Sequence, residues 1–352
     1  MNPSKKNFLI SILRFHGDVL LIEPMLHVIK REFPNSEIDL LVYKGTASLL
    51  LADHRINKII ESEPSEGKSI LNKIKNEYRL YKELRSKKYS FSIFLTTQWR
   101  QALISLLIFS EISAAVDDKK RQNYLWKKSF SFIFPEAGAR HVIERNLDTL
   151  NLLGFRVLEE DKKLSLVIPD KVNQSVQKIF NNKEINSRYC VVHPCSGKDY
   201  KLWSEKKFSK VIDYLTSKNI LVILTCGPDE REVNYLREIE RLSPELINLG
   251  GKTSLLELAS LIKGAEILIG LDSVAGHISA AVNTPSVVLF GPTNHQNWRP
   301  WSDTSTIISR DNNEEYCNLH GMNSGKSGKC LCYISEERVI ESADKILDKV
   351  KG

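Results

Sequence analysis

Short apolar runs alternate with amphipathic helical stretches along almost the whole chain, and the alternation restarts half-way. NFLISIL, EIDLLVY, INKIIES, YSFSIFLTT and ISAAVDD read as strands, short and rich in β-branched or aromatic residues. VLLIEPMLHVIKREFP, TASLLLAD, a basic stretch ending at Lys88, and QALISLLIF read as the helices between them. A second series begins with the helix ARHVIERNLDTLNLLGF and the connector KLSLVIPDKV. Its strands are RYCVV, ILVILT, LINLGG, AEILIGL and TPSVVLF, and it closes on the helix SEERVIESADKILDKV. Parallel strands need a long crossover, usually a helix, so strand–helix alternation specifies a parallel sheet covered on both faces. The 352 residues suffice for two such halves. The fold class is therefore α/β, with a joint near residues 160–175. Ligands of open α/β sheets bind beyond the carboxyl ends of the strands, so with two such domains face to face the expected site is the cleft between them.

Several other classes are excluded. No apolar run approaches the ~20 residues of a membrane-spanning helix; the longest, Ala102 to Phe109, fits a buried element. The N-terminal MNPSKKNFLISIL lacks a small-residue cleavage site and reads as the first strand rather than a signal peptide. Cys190, Cys195 and Cys226 sit beside strand ends, where a small apolar residue suffices. Cys317, Cys330 and Cys332 form C-x12-C-x-C, which lacks the paired spacing of zinc sites. Reduced thiols in a cytoplasmic protein are expected. The net charge of +7 is clustered. KSILNKIKNEYRLYKELRSKK (residues 68–88) and KKRQNYLWKK (residues 119–128) interleave cations with Tyr, Trp and Leu. Such stretches are solvated helix faces or docking sites for an anionic membrane surface, and no nucleic-acid motif accompanies them.

The unusual polar clusters fall at strand-to-helix junctions. RFHGD follows the first strand. HPCSGKDYKLW, CGPDE, GLDSVAGH and FGPT follow strands of the second half. Helix N-termini present unpaired N–H groups and a positive dipole end, which suits phosphate. In GLDSVAGH, Asp272 and Ser273 can cap the next helix, while the small residues Ala275 and Gly276 admit a bulky anion and His277 follows within two turns. Lys201 is a point charge for phosphate or a solvated lysine. Glu230 binds ribose hydroxyls or simply favours its own helix start. Asp18 accepts a proton from a hydroxyl nucleophile or caps a helix beginning at Val19, and both roles are compatible.

Taken together, Arg14 with Gly17-Asp18, HPCSG with Lys201 and Trp203, CGPDE, GLDS with His277, and FGPT resemble the lipopolysaccharide heptosyltransferases of glycosyltransferase family 9. The stretches RFHGDVLLIEP and LFGPTNHQNWRPWS are most similar to the heptosyltransferase III branch. The resemblance implies a GT-B type fold, with two Rossmann-like α/β/α domains facing each other across a cleft. Residues 1–168 would bind the acceptor, residues 169–334 the nucleotide sugar, and the helix of residues 335–352 would cross back to the N-terminal domain. It implies inverting, metal-independent transfer of heptose from ADP-L-glycero-D-manno-heptose to the inner-core heptose of lipopolysaccharide, at the cytoplasmic face of the inner membrane. Asp18 would be the base. Lys201, Asp272, Ser273, Val274, Ala275 and His277 would hold the diphosphate side, and Glu230 the ribose, with Asp229 and Glu232 close in register. Where related chains often have Asp-Thr-Gly, this one has Asp272-Ser273-Val274. No clustered DxD-like acidic pair is present, and Asp117-Asp118, adjacent and beside a lysine run, is a poor ligand pair, which accords with a metal-free reaction; no cofactor is expected. Two alternatives fit the same fold: a nucleotide-sugar epimerase, and a non-catalytic nucleotide-sugar-binding assembly protein.

Overall fold

A computed structural model describes residues 5–63, 70–117, 123–135, 138, 140–182, 188–309 and 331–351. Lys68, residues 118–122, Cys317 and Cys330 lie outside these. The chain divides into two compact units, Met1–Leu164 and Ser165–Gly352.

The first unit is built on a sheet of six parallel strands: β1 (Asn7–Ile12), β2 (Glu37–Tyr43), β3 (Ile56–Ser62), β4 (Phe91–Phe94), β5 (Ile112–Val116) and β6 (Phe132–Phe134). Their spatial order is β3-β2-β1-β4-β5-β6. The order reverses between β1 and β4, which pair directly from Phe8↔Phe91 to Ser11↔Phe94. On one face, Phe8 stacks on Phe91 at 5.0 Å, and Phe155 meets both edge-on. On the other, Leu9, Leu13, Leu41 and Phe94 pack with three helices, α3 (Ile70–Ser86), α4 (Trp99–Ile108) and α5 (Tyr124–Lys128).

The expected helix from Val19 to Pro34 is two helices. α1 (His16–Leu20) precedes α2 (Glu23–Glu32), whose first turn holds Pro24. Proline lacks the N–H that would continue the ladder from α1, and it suits a helix start. TASLLLAD forms only a 3-10 turn at Ser48–Leu50. α4 is not the buried element its composition suggested: it covers Ala102, Ile104 and Ile108 but leaves Leu103 and Leu106 exposed.

The second unit repeats the plan. Its parallel strands are β7 (Tyr189–His193), β8 (Leu221–Leu224), β9 (Ile247–Asn248), β10 (Leu268–Leu271), β11 (Ser286–Leu289) and β12 (Ser305–Ile308). Read from the opposite edge, the order β12-β11-β10-β7-β8-β9 is that of the first unit, with the reversal now between β7 and β10. The helices are α6 (Val142–Leu152) in the first unit and, in the second, α7 (Asp170–Asn182), α8 (Glu205–Ser217), α9 (Glu230–Leu242), α10 (Leu255–Gly264), α11 (Val274–Ala281), α12 (His295–Trp298) and α13 (Glu336–Lys351).

α13 belongs with the second unit, where Val339, Ala343 and Leu347 join the core beside Phe208, Val211 and Leu289. Tyr214 bonds to Asp344, and Lys210 pairs with Glu336. Its apolar stripe is thus used on α8 and the β11–β12 edge. The unit boundary falls four residues before the expected 168/169 boundary. Among the described residues, no helix is long and apolar enough to cross a membrane.

Candidate functional site

The RFHGD elbow of the first unit and the loops of Lys201 and Asp272 in the second follow strands at which strand order reverses, the position at which open α/β sheets leave a crevice beyond their carboxyl ends. In the first unit, β1 ends in the RFHGD elbow. Gln98, after β4, ties its neighbourhood together: its Nε2 donates to the Leu13 carbonyl at 3.2 Å, and its Oε1 accepts from the Tyr43 hydroxyl at 3.1 Å. The helix after the elbow begins at His16, not Val19. Phe15 is its cap residue in extended conformation, and the Val19 N–H donates to the Phe15 carbonyl at 3.1 Å. Asp18 is therefore inside the first turn rather than at the cap position. Its half-buried carboxylate remains where the helix dipole favours negative charge. His16, two residues earlier, was not singled out in the sequence. Its Nδ1 lies 3.2 Å from Ser48 Oγ, and burial lowers its pKa.

In the second unit, the loops after β7 and β10 meet. Lys201 Nζ lies 2.5 Å from the Asp272 carboxylate, and Ser196 Oγ donates to the Asp272 carbonyl at 3.3 Å. Asp272 thus partners Lys201 and is not the helix cap. Ser273 occupies the cap position of α11, with φ −153° and ψ 176°, but its side chain bonds to no N–H of the helix. Ser273 Oγ is buried without a hydrogen-bond partner among the described residues, and so is His277 Nδ1 one turn further on. Buried polar atoms are normally paired. Here a hydroxyl and an imidazole nitrogen remain unpaired at an uncapped helix start beside a lysine, a donor set suited to phosphate oxygens. Burial pushes the His277 pKa down to about 4, with Asp272 opposing and Lys201 assisting. The ring is neutral near pH 7, so it offers one donor and one acceptor nitrogen. Val274 is half-buried and Ala275 fully buried at the first positions of α11.

The neighbouring loops are braced. Trp203 is a structural anchor: its Nε1 donates to the Ile334 carbonyl at 3.1 Å, and its own carbonyl accepts from Tyr235. His193, at the end of β7, is buried with Nδ1 3.0 Å from Thr225 Oγ1, and burial lowers its pKa to about 4. Gly270 pairs with His193 across the strand reversal, and a Cβ there would sit 2.9 Å from the His193 carbonyl oxygen. The three acids near CGPDE separate by environment. Asp229 caps α9 by accepting from the Arg231 N–H at 2.9 Å. Glu232 turns inward to the Gly227 N–H at 3.0 Å, and burial raises its pKa. Glu230 is exposed at the first position of α9. Cys195, Cys226 and Glu232 bring ligand-type atoms within 4.8 Å of one another, although Cys226 Sγ already donates to the Gly227 carbonyl and Glu232 accepts from the Gly227 N–H.

A family model for glycosyltransferase family 9 (heptosyltransferase) matches residues 77–326, most of the chain. The chain belongs to that family. It is 34% identical over 337 residues to lipopolysaccharide heptosyltransferase 3 of Escherichia coli strain K12, covering 95% of this chain and 96% of the relative. The structure of a family 9 glycosyl transferase from Veillonella parvula superposes with a TM-score of 0.85 at 21% identity, covering 99% of each chain. That of the E. coli heptosyltransferase WaaC with ADP gives a TM-score of 0.75 at 18% identity, covering 97% of this chain and 99% of that one. This family 9 member is a glycosyltransferase of GT-B architecture, with two Rossmann-like parallel sheets.

Proposed function

We propose that this glycosyltransferase moves heptose from ADP-L-glycero-D-manno-heptose onto the inner-core heptose of lipopolysaccharide, inverting the anomeric centre and using no metal. The observation that carries the donor assignment is the uncapped start of α11, where Ser273 Oγ and His277 Nδ1 are buried and unpaired beside Lys201 and Asp272. The likeness to heptosyltransferase 3 over nearly the whole chain supports the sugar and the acceptor.

A sugar hydroxyl is a weak nucleophile, so Asp18 acts as the base, taking its proton as the oxygen attacks the anomeric carbon. The bond from that carbon to the diphosphate breaks, and the electrons pass to ADP. Lys201 and the first N–H groups of α11 stabilise the charge that develops there. Val274 and Ala275 offer their backbone N–H groups at the first positions of α11 to the phosphates. Glu230 holds the ribose, because Asp229 and Glu232 are committed to their own loop. A cation and a helix start already face the leaving group, so a metal has no required part. The protein works at the cytoplasmic face of the inner membrane, as a peripheral protein rather than a spanning one.

The test is to incubate the protein with ADP-heptose and heptose-truncated lipopolysaccharide and examine the isolated acceptor by mass spectrometry and NMR. The expected product has gained one heptose, with an anomeric configuration opposite to the donor's. Release of free or epimerised sugar with an unchanged acceptor would overturn the transferase reading.

A further inference from the structure

The outer surface of the first unit carries a chemistry that the elbow does not use. Helices α3, α4 and α5 cover one side of the sheet through Leu80, Leu84, Ala102, Ile104, Ile108 and Trp126. Their opposite sides are not polar, as helix amphipathicity requires of a solvated face. On α3, Ile74 and Tyr78 are exposed one turn apart, and on α4 Leu103 and Leu106 are about half exposed. Leu125 of α5 is 70% exposed. Phe109, at the end of α4, is 69% exposed and held at φ 51°, a left-handed conformation uncommon for an aromatic residue.

The helices that carry these tips are neighbours. Arg100 of α4 is paired with Glu77 of α3, Trp99 meets Trp126 edge-on at 5.6 Å, and Ser105 Oγ donates to the Ser129 carbonyl at 2.7 Å. Large contiguous apolar patches are rare on soluble monomers and mark interaction sites.

The same surface is cationic. Lys75, Arg79 and Lys82 on α3, and Lys127 and Lys128 on α5, are exposed. The two α3 acids are taken up, Glu77 by Arg100 and Glu83 by Lys58. Arg85 lies over the Phe109 ring at 5.0 Å, joining cation to apolar tip. Lys87, by contrast, is bound to Glu37 and Asp39 and takes no part.

We propose that this outer face of α3–α5 docks on an anionic lipid surface, with the apolar tips entering the headgroup–acyl boundary and the cations meeting lipid phosphates. It identifies the surface for the membrane association proposed above, and rests on that reading alone, not on the transfer chemistry. Charge complementarity selects this occupant. A second copy packed face to face would set cation against cation, and the aliphatic tips Ile74, Leu103, Leu106 and Leu125 gain from an acyl boundary what a nucleic acid does not offer them.

Sedimentation with vesicles of phosphatidylglycerol and phosphatidylethanolamine tests it, without donor or acceptor present. Binding is expected at low salt and should weaken as salt rises. Lys127→Gln with Lys128→Gln should weaken it by about 30-fold at low salt, from ~1 kcal/mol per cation near the surface. Leu103→Ser with Leu106→Ser should weaken it by about 10-fold or more at both salt concentrations. Both variants should bind ADP like the unaltered protein, and transfer to a deacylated acceptor should not change. Absent or unaffected vesicle binding would overturn the proposal, as would equal binding to phosphatidylcholine or DNA, or a dimer that the leucine variant dissociates. Loss of transfer by the unaltered protein, with vesicle binding intact, would count against the function and leave this surface standing.

Discussion

The two sheets share one strand order, yet their reversal points are furnished differently. In the first unit the point holds one carboxylate, Asp18, in the first turn of the five-residue helix α1. In the second it holds a lysine–aspartate pair, an uncapped eight-residue helix and two unpaired buried polar atoms. The first arrangement places a carboxylate where the proposed reaction needs a base, and no lysine–aspartate pair like that of Lys201 and Asp272 is described there. The second can bind an anion and has its acid tied to Lys201. In the proposed reaction the same scaffold would thus separate base from leaving-group site, through its loops.

Substitutions can break that division in graded steps. Asp18→Ala should have the largest effect, lowering the transfer rate by about 100- to 10,000-fold, the usual worth of a positioned base, with the thermal midpoint little changed. Lys201→Ala should follow, lowering transfer by about 100- to 1,000-fold as a charge opposite the leaving group is lost, and weakening ADP as well. Gly270→Ala sharpens the structural side. Its Cβ would press on the His193 carbonyl, so urea denaturation should show a loss of about 1–3 kcal/mol.

The smallest effect concerns pH. His193 and His277 are buried with pKa values lowered to about 4. The unfolded chain binds more protons than the folded one between that value and the ordinary 6.5. Stability should therefore be full above pH 6.5 and fall as pH drops toward 4. In His277→Gln the fall should be shallower by on the order of 1 kcal/mol, read from urea midpoints across that range.

Much of this was legible in the sequence, for a physical reason. Parallel strands buried on both faces read as near-continuous apolar runs, which located ten of the twelve described strands; the unread pair, Phe132–Phe134 and Ser305–Ile308, lie at sheet edges. The loops carrying Lys201 and Asp272 were legible as motifs. Their pairing across 71 residues was not, because it depends on β7 lying beside β10. The capping roles given to Asp18 and to Asp272-Ser273 followed residue preference alone. The chain instead starts α1 two residues before Asp18, and spends Asp272 on Lys201. Exposure was the least legible property. QALISLLIF has the composition of a core helix, yet Leu103 and Leu106 face outward.

The division of labour between the two reversal points is tested most directly by titrating ADP into three proteins in a calorimeter: the unaltered chain, Asp18→Ala and Lys201→Ala. The account predicts that Asp18→Ala binds ADP within about 2-fold of the unaltered chain, while Lys201→Ala binds it about 10-fold or more weakly, as expected when a charge-assisted phosphate contact is removed. Equal weakening in both variants, or an unchanged affinity in Lys201→Ala, would contradict it.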